Sequence, residues 1–177
     1  EKKNVAIKLN MDMALMHEAG GMNMSSGGMM DMGGMQGMSA TSDASNDGIE
    51  WSDTMAAMNA KSNVDTAKWQ LVDTDTGKAD FNWSFKKGTL VNLTVDNTTT
   101  MMHPMQHPIH IHGQKFLVTS IDGVPQQNLV WKDTVMIPAG HKFTLAVMFD
   151  NPGKWMIHCH IPEHLESGMM GNFTVTE

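Results

Sequence analysis

One stretch gathers most of the side chains that could hold a metal. His158-Cys159-His160-Ile161-Pro162-Glu163-His164-Leu165-Glu166-Ser167-Gly168-Met169-Met170 contains the only cysteine of the chain, three of its nine histidines and two of its twenty methionines. The residues ahead of it, Lys154-Trp155-Met156-Ile157, read as a strand, in which successive side chains point to opposite faces. His158 and His160 then share one face and Cys159 points to the other. A thiol on one side and two imidazoles on the other suggest two adjacent metal sites sharing one backbone. Pro162 ends the strand, which lets His164 and Met169 turn back toward the sulfur.

A second cluster lies upstream in His107-Pro108-Ile109-His110-Ile111-His112-Gly113. His110 and His112 stand two apart and face the same way, whereas His107 is offset by three residues and can face elsewhere. Two imidazoles, a thiolate and a thioether make the ligand set of a blue-copper centre. Taken singly, a buried cysteine is usually an inert small hydrophobe, and a lone histidine is more often a surface or hydrogen-bonded residue than a ligand. Two compact histidine clusters, one of them enclosing the only cysteine, reverse those odds. Structural zinc sites favour paired cysteines, which a chain with one cysteine does not have.

The two clusters resemble the signature motifs of the last cupredoxin domain of multicopper oxidases, the group that includes laccases. The resemblance covers roughly residues 50–177, including Asp122-Gly123-Val124-Pro125 and Trp131-Lys132-Asp133-Thr134-Val135. It implies that His107, Cys159 and His164 bind the type 1 copper with Met169 axial, that His110 binds the type 2 copper, and that His112, His158 and His160 bind the type 3 pair. Met170 is then a packing neighbour. It further implies electron uptake at type 1 copper near Cys159 and His164, with the His164 ring close to the surface, and transfer to a site that reduces O2 to water.

The chain departs from the family in one large respect. The family completes its trinuclear cluster with two further His-x-His motifs from an N-terminal cupredoxin domain, and His17, His103 and His141 are isolated here. The chain is therefore expected to be the C-terminal portion of a larger oxidase, or a subunit that takes the missing motifs from a partner. Leu165 stands where some bacterial members carry an acidic residue, and the axial Met169 implies a moderate potential. The competing reading is a stand-alone blue-copper electron carrier or copper-binding protein. It leaves His110, His112, His158 and His160 without a task.

The elements that must position these residues follow from composition and pattern. A chain of 177 residues suits one domain with an appendage. A formal charge of -7, with lysine supplying all twelve basic residues, argues against a nucleic-acid surface. No apolar run approaches the roughly 18 residues of a membrane span. Glu1-Lys2-Lys3 leads straight into a strand-like pattern, so no signal peptide is expected within the chain. The resemblance implies a periplasmic or extracellular location.

The pattern predicts an all-β, cupredoxin-type Greek-key β-sandwich. Residues 1–10 supply its first strand, where Asn4-Val5-Ala6-Ile7-Lys8-Leu9 alternates polar and apolar side chains. Residues 11–48 form a Met/Gly/Ser-rich flexible insertion with ten of the methionines. Residues 49–177 form the domain proper. It opens with a helical turn near residues 53–58 and continues with strands at 69–72, 80–85, 89–95, 115–121, 128–137, 142–149, 155–158 and 171–176. A loop over 98–106, with His103 in a structural role, delivers the first cluster, and His141 lies in an exposed turn. Trp83, Trp131 and Trp155 are expected as core or rim aromatics.

Soft thioethers select Cu(I), and the insertion offers Met11-Asp12-Met13, Met22-Asn23-Met24 and Met29-Met30-Asp31-Met32, with His17 as a possible helper. Weak cuprous binding is therefore expected there, and the reducing substrate is expected to be phenolic or Cu(I) itself. Deleting residues 11–48 should remove cuprous binding measured by competition with a chromogenic chelator. Unchanged binding would reduce the segment to a tether.

Overall fold

The computed structural model describes residues 2–12, 49, 68–98 and 105–177. The expected helical turn near residues 53–58, most of the Met-rich insertion, His17 and His103 lie outside them. Among the described residues, eleven strands form two sheets, and one short helix lies between the last two strands. The first sheet contains β1 Lys2–Asp12, β2 Lys68–Asp73, β4 Thr89–Asp96, β6 Lys115–Ile121, β7 Val124–Pro125 and β9 Lys142–Phe149, in the order β2-β1-β4-β9-β6-β7. The second contains β3 Asn82–Lys86, β5 His107–Ile111, β8 Thr134–Ile137, β10 Gly153–Cys159 and β11 Met170–Thr176, in the order β3-β11-β10-β5-β8. β1 runs parallel to β4 and β3 parallel to β11, and the other pairs are antiparallel.

Strand-period alternation produces the sandwich. Every second residue of β4 and β9 is buried, so Val91, Leu93, Val95, Leu145 and Val147 face the other sheet. Ile109, Ile111, Ile157, Phe173 and Val175 answer from β5, β10 and β11. Such a two-sheet core excludes water over its whole length. No helix among the described residues is long and apolar enough to cross a membrane.

Three local features differ from, or refine, the expected strands. β1 continues to Asp12, with Met11 opposite Trp69 and Asp12 opposite Lys68. These two residues, assigned to the insertion on composition, therefore belong to the sheet. The expected strand over 128–137 begins only at Thr134, because residues 128–133 have no second sheet to cover them. Leu129, Val130 and Trp131 are exposed there, and an isolated bridge between Phe116 and Lys132 is the only ladder contact described for them. The Asp122-Gly123 hairpin is present, with both residues at positive φ (51° and 80°), as a tight turn between twisted strands requires.

The ligand-bearing loop is held by short-range bonds. After β10, Pro162 opens helix α1, Pro162–Glu166, a position that suits a residue without an N–H. Ser167 Oγ donates to the Glu163 carbonyl at 2.7 Å and closes the turn. The chain then returns as β11, where Gly171 pairs with Ile157 beneath the Phe81 ring. A Cβ on Gly171 would come within 2.1 Å of that ring. Gly171→Ala should therefore destabilise the domain by about 1–3 kcal/mol through overpacking, read as a lower urea midpoint. An unchanged midpoint would contradict the packing described.

Candidate metal centre

β10 and β5 are neighbours, with Ile157 opposite Ile111, His158 opposite His110 and Cys159 opposite Ile109. The odd-numbered residues of both strands enter the core and the even-numbered ones stand on the outer face. Cys159 and His107 are fully buried inside the sandwich. His164 reaches them from α1, and its ring is fully buried as well. The His107 and His164 Nδ1 atoms lie 3.2 Å apart. Cys159 Sγ is 3.8 Å from the first and 3.6 Å from the second.

The backbone fixes this convergence. Met169 N–H donates to the His164 carbonyl at 2.8 Å, and Cys159 N–H donates to the Met169 carbonyl at 3.1 Å. The fully buried Met169 is thus tied to two of the three donors.

Burial dominates the electrostatics. It pushes His107 down to about 3, with repulsion from His164 adding to the shift, and His164 down to about 4. It pushes the Cys159 thiol up to about 12, against the opposing pull of backbone bonds from Ile161 and His160. The three donors therefore converge as neutral groups, and the Nε2 atoms of both imidazoles have no hydrogen-bond partner among the described residues. Two facing nitrogens beside a thiol fit a cation that replaces the thiol proton. Imidazole, thiolate and a nearby thioether together suit copper.

A second group stands on the opposite face of the same strands. Donor atoms of His110, His112 and His158 lie within 4.8 Å of one another, and the His112 and His158 Nε2 atoms are 2.9 Å apart. Hydrogen bonds fix two of the tautomers. His158 Nδ1–H donates to the Cys159 carbonyl at 2.7 Å, which leaves Nε2 with a lone pair. His110 Nδ1–H is shared between the Asp133 carbonyl and Thr134 Oγ1, both at 2.9 Å, and the Thr134 hydroxyl donates to the Asp133 carboxylate. His110 Nε2 is thus also left to accept. This support from a carbonyl and a hydroxyl is the kind that orients metal-binding imidazoles.

His160 is exposed and outside that trio, with its ring centroid 5.7 Å from His158 and 5.8 Å from His110. Desolvation, followed by the neighbouring imidazoles, lowers the pKa of His112. Desolvation also lowers that of His158, against the pull of its bond to Cys159. The outer face opens into a pocket of about 380 Å³ lined by His112, Lys154, Trp155, Met156, Met170 and Asn172.

Two residues to which the sequence assigned no role at the site matter here. Trp69 stacks on His164 with centroids 3.9 Å apart and an interplanar angle of 22°, and meets His107 edge-on at 5.3 Å. Stacking of this kind is worth about 0.5–1.5 kcal/mol beyond the area buried. It also overturns the expectation that the His164 ring lies close to the surface, because the β2 indole covers it. Asp133, whose carbonyl holds His110, carried no signal beyond its place in the intervening Trp131-Lys132-Asp133-Thr134-Val135 stretch. His141 is paired with Asp122 at 2.6 Å and belongs to neither described cluster. Trp83 stacks on Phe81 and Trp155 is half-buried, whereas Trp131 is 58% exposed.

Residues 51–177 match the multicopper oxidase family. A multicopper oxidase of Staphylococcus epidermidis is 44% identical over 84 residues, 46% of this chain and 19% of the relative. One from Mycobacterium tuberculosis is 42% identical over 77 residues, 44% of this chain and 14% of the relative. The chain thus matches less than a fifth of the length of these curated relatives. The laccase of Pediococcus acidilactici superposes with a TM-score of 0.52 at 29% identity, over 60% of this chain and 24% of that one. The blue copper oxidase of Nitrosomonas europaea has the same fold, with a TM-score of 0.59 at 18% identity over 98% of this chain and 43% of that one.

The buried donors give the metal-free chain a definite pH response. His107 and His164 are depressed from an ordinary value of 6.5, so the unfolded chain takes up protons that the folded one refuses as pH falls below 6.5. Stability should fall from that point toward pH 4. Cys159 is raised from 9.0, so stability should also fall as pH climbs above 9. Urea midpoints at pH 7, 5 and 4 should decline, and His164→Asn should flatten the decline. A midpoint that is constant from pH 7 to 4 would contradict the burial described.

Proposed function

Because the chain belongs to the multicopper oxidase family, we propose that it is the copper-bearing C-terminal portion of a larger copper-dependent oxidoreductase. That enzyme takes electrons singly from a reducing substrate and uses O2 as acceptor. One observation carries the reading. A thiol and two imidazoles converge inside the sandwich, while a histidine cluster stands on the outer face of the same two strands. His107, Cys159, His164 and Met169 would hold type 1 copper, His110 type 2 copper, and His112, His158 and His160 the type 3 pair. Copper bound there would supply one-electron redox chemistry at the inner donors and, once the outer cluster is completed, the four-electron reduction of oxygen to water.

The chain's own residues perform the positioning. Cys159 gives up its proton when a cation occupies the inner set, and the dry core then keeps the thiolate from solvent. Peptide bonds join Cys159 to His158 and His160, and the His158 Nδ1–H bond to the Cys159 carbonyl adds a second link. The two donor sets are therefore joined within three consecutive residues. Asp133 and Thr134 hold the His110 ring so that its Nε2 stays available.

The outer histidines supply half of the ligands such a cluster needs, and an N-terminal cupredoxin domain or a second subunit would bring two further His-x-His motifs. Their position on an open sheet face beside a pocket supports this. So do the exposed Leu129, Val130, Trp131 and Met136 around the β8 edge. The reducing substrate would be phenolic or cuprous, with the Met-rich segment favouring Cu(I). A periplasmic or extracellular setting would suit that substrate. The second reading, a stand-alone blue-copper carrier, draws support from the completeness of the inner donor set within this chain.

Cys159→Ser should abolish the intense visible band of the copper-loaded chain and its one-electron exchange together. Retention of either one would overturn the assignment.

A further inference from the structure

The indole of Trp69 is 1% exposed, and its Nε1–H has no acceptor among the described residues. A buried N–H without a partner is unfavourable, and a phenylalanine or leucine could fill much of the same volume without it. What distinguishes Trp69 from the other core aromatics is its position against both inner imidazoles, face-on to His164 and edge-on to His107. Its backbone is equally close to the ligand loop. A Cβ on Gly168, which has φ +109°, would lie 3.4 Å from the Trp69 carbonyl. Strand β2 is thus seated directly on the segment that carries His164 and Met169, with Met11 of β1 as its cross-strand neighbour.

We propose that Trp69 is the positioning residue of the inner donor set. Its indole holds the His164 ring in the orientation that aims Nδ1 at Cys159 Sγ, and it closes the set to water. The α1 turn fixes only the His164 backbone, since His164 N–H donates to the Ile161 carbonyl and its own carbonyl accepts from Met169. Both bonds leave χ1 and χ2 of His164 free. The stacked ring restricts χ2, and the full burial of the imidazole beneath it excludes solvent.

The proposal rests on the reading of His107, Cys159 and His164 as a copper site, and the test separates the two. The metal-free 177-residue chain is treated with diethyl pyrocarbonate, which acylates accessible imidazoles, and the sites are quantified by peptide mass mapping. In the wild type His164 should react about tenfold more slowly than the part-exposed His141. Trp69→Leu, which removes the ring, should raise His164 reactivity roughly tenfold and speed copper(II) release to EDTA by a similar factor. Trp69→Phe, which keeps a ring over the imidazole, should stay within about threefold of wild type in both.

Wild-type His164 reacting as fast as His141, or Trp69→Leu matching wild type in both measurements, overturns the proposal. Should Trp69→Leu not fold, protection of His164 in both the wild type and Trp69→Phe supports it, and loss of protection in folded Trp69→Phe overturns it. If the wild type binds no copper at Cys159, the copper reading fails, while the acylation pattern still decides whether Trp69 closes the donor set.

Discussion

The structure depends on the side-chain period of two in strand β10. Cys159 points into a core from which water is excluded, and His158 and His160, one residue away on either side, point out of it. Pairing with β5 repeats the division, so that Ile109 and Ile111 join the core while His110 and His112 join the outer face. A slip of one residue in this register would send the thiol outward and the imidazoles into the core. The buried isoleucines on both strands oppose such a slip, because it would expose them. The hydrophobic core therefore sets the geometry of both donor groups.

Burial sets the chemistry of the inner group. Two imidazoles and a thiol are gathered with no charged partner among the described residues, and desolvation holds all three neutral. A folded domain that buries the Nε2 atoms of His107 and His164 without a hydrogen-bond partner among the described residues has surrendered stability at that point. A cation held by the converging Nδ1 atoms and the thiolate would favour the folded chain over the unfolded one, so metal binding and folding are coupled here. The loop makes the arrangement possible. It reverses within ten residues of Cys159 through a proline-initiated turn, a serine bond and two backbone bonds that join Met169 to His164 and Cys159.

Much of the centre was legible in the sequence because its ligands lie in two short segments whose spacing is set by strand geometry. His110 and His112, and His158 and Cys159, could be assigned to faces by counting. Trp69 could not, since its stack on His164 depends on how β2 packs across the sandwich, and a tryptophan in an alternating strand carries no mark of what it will meet. The same limit explains why the His164 ring was expected close to the surface. Strand ends were misjudged where composition and pairing disagree. Met11 looks like part of a polar, thioether-rich run but pairs with Trp69, whereas residues 128–133 contain Leu129, Val130 and Trp131 yet lack a covering layer.

The most direct test of the central claim is X-ray absorption at the copper edge on the chain loaded with one equivalent of copper(II), compared with Cys159→Ser. The account predicts a first shell of one short sulfur and two imidazole nitrogens, with the sulfur lost in the variant. A sulfur-free shell of imidazoles alone in the wild type would place the copper on the outer histidines and contradict the claim that the buried donors form the primary site.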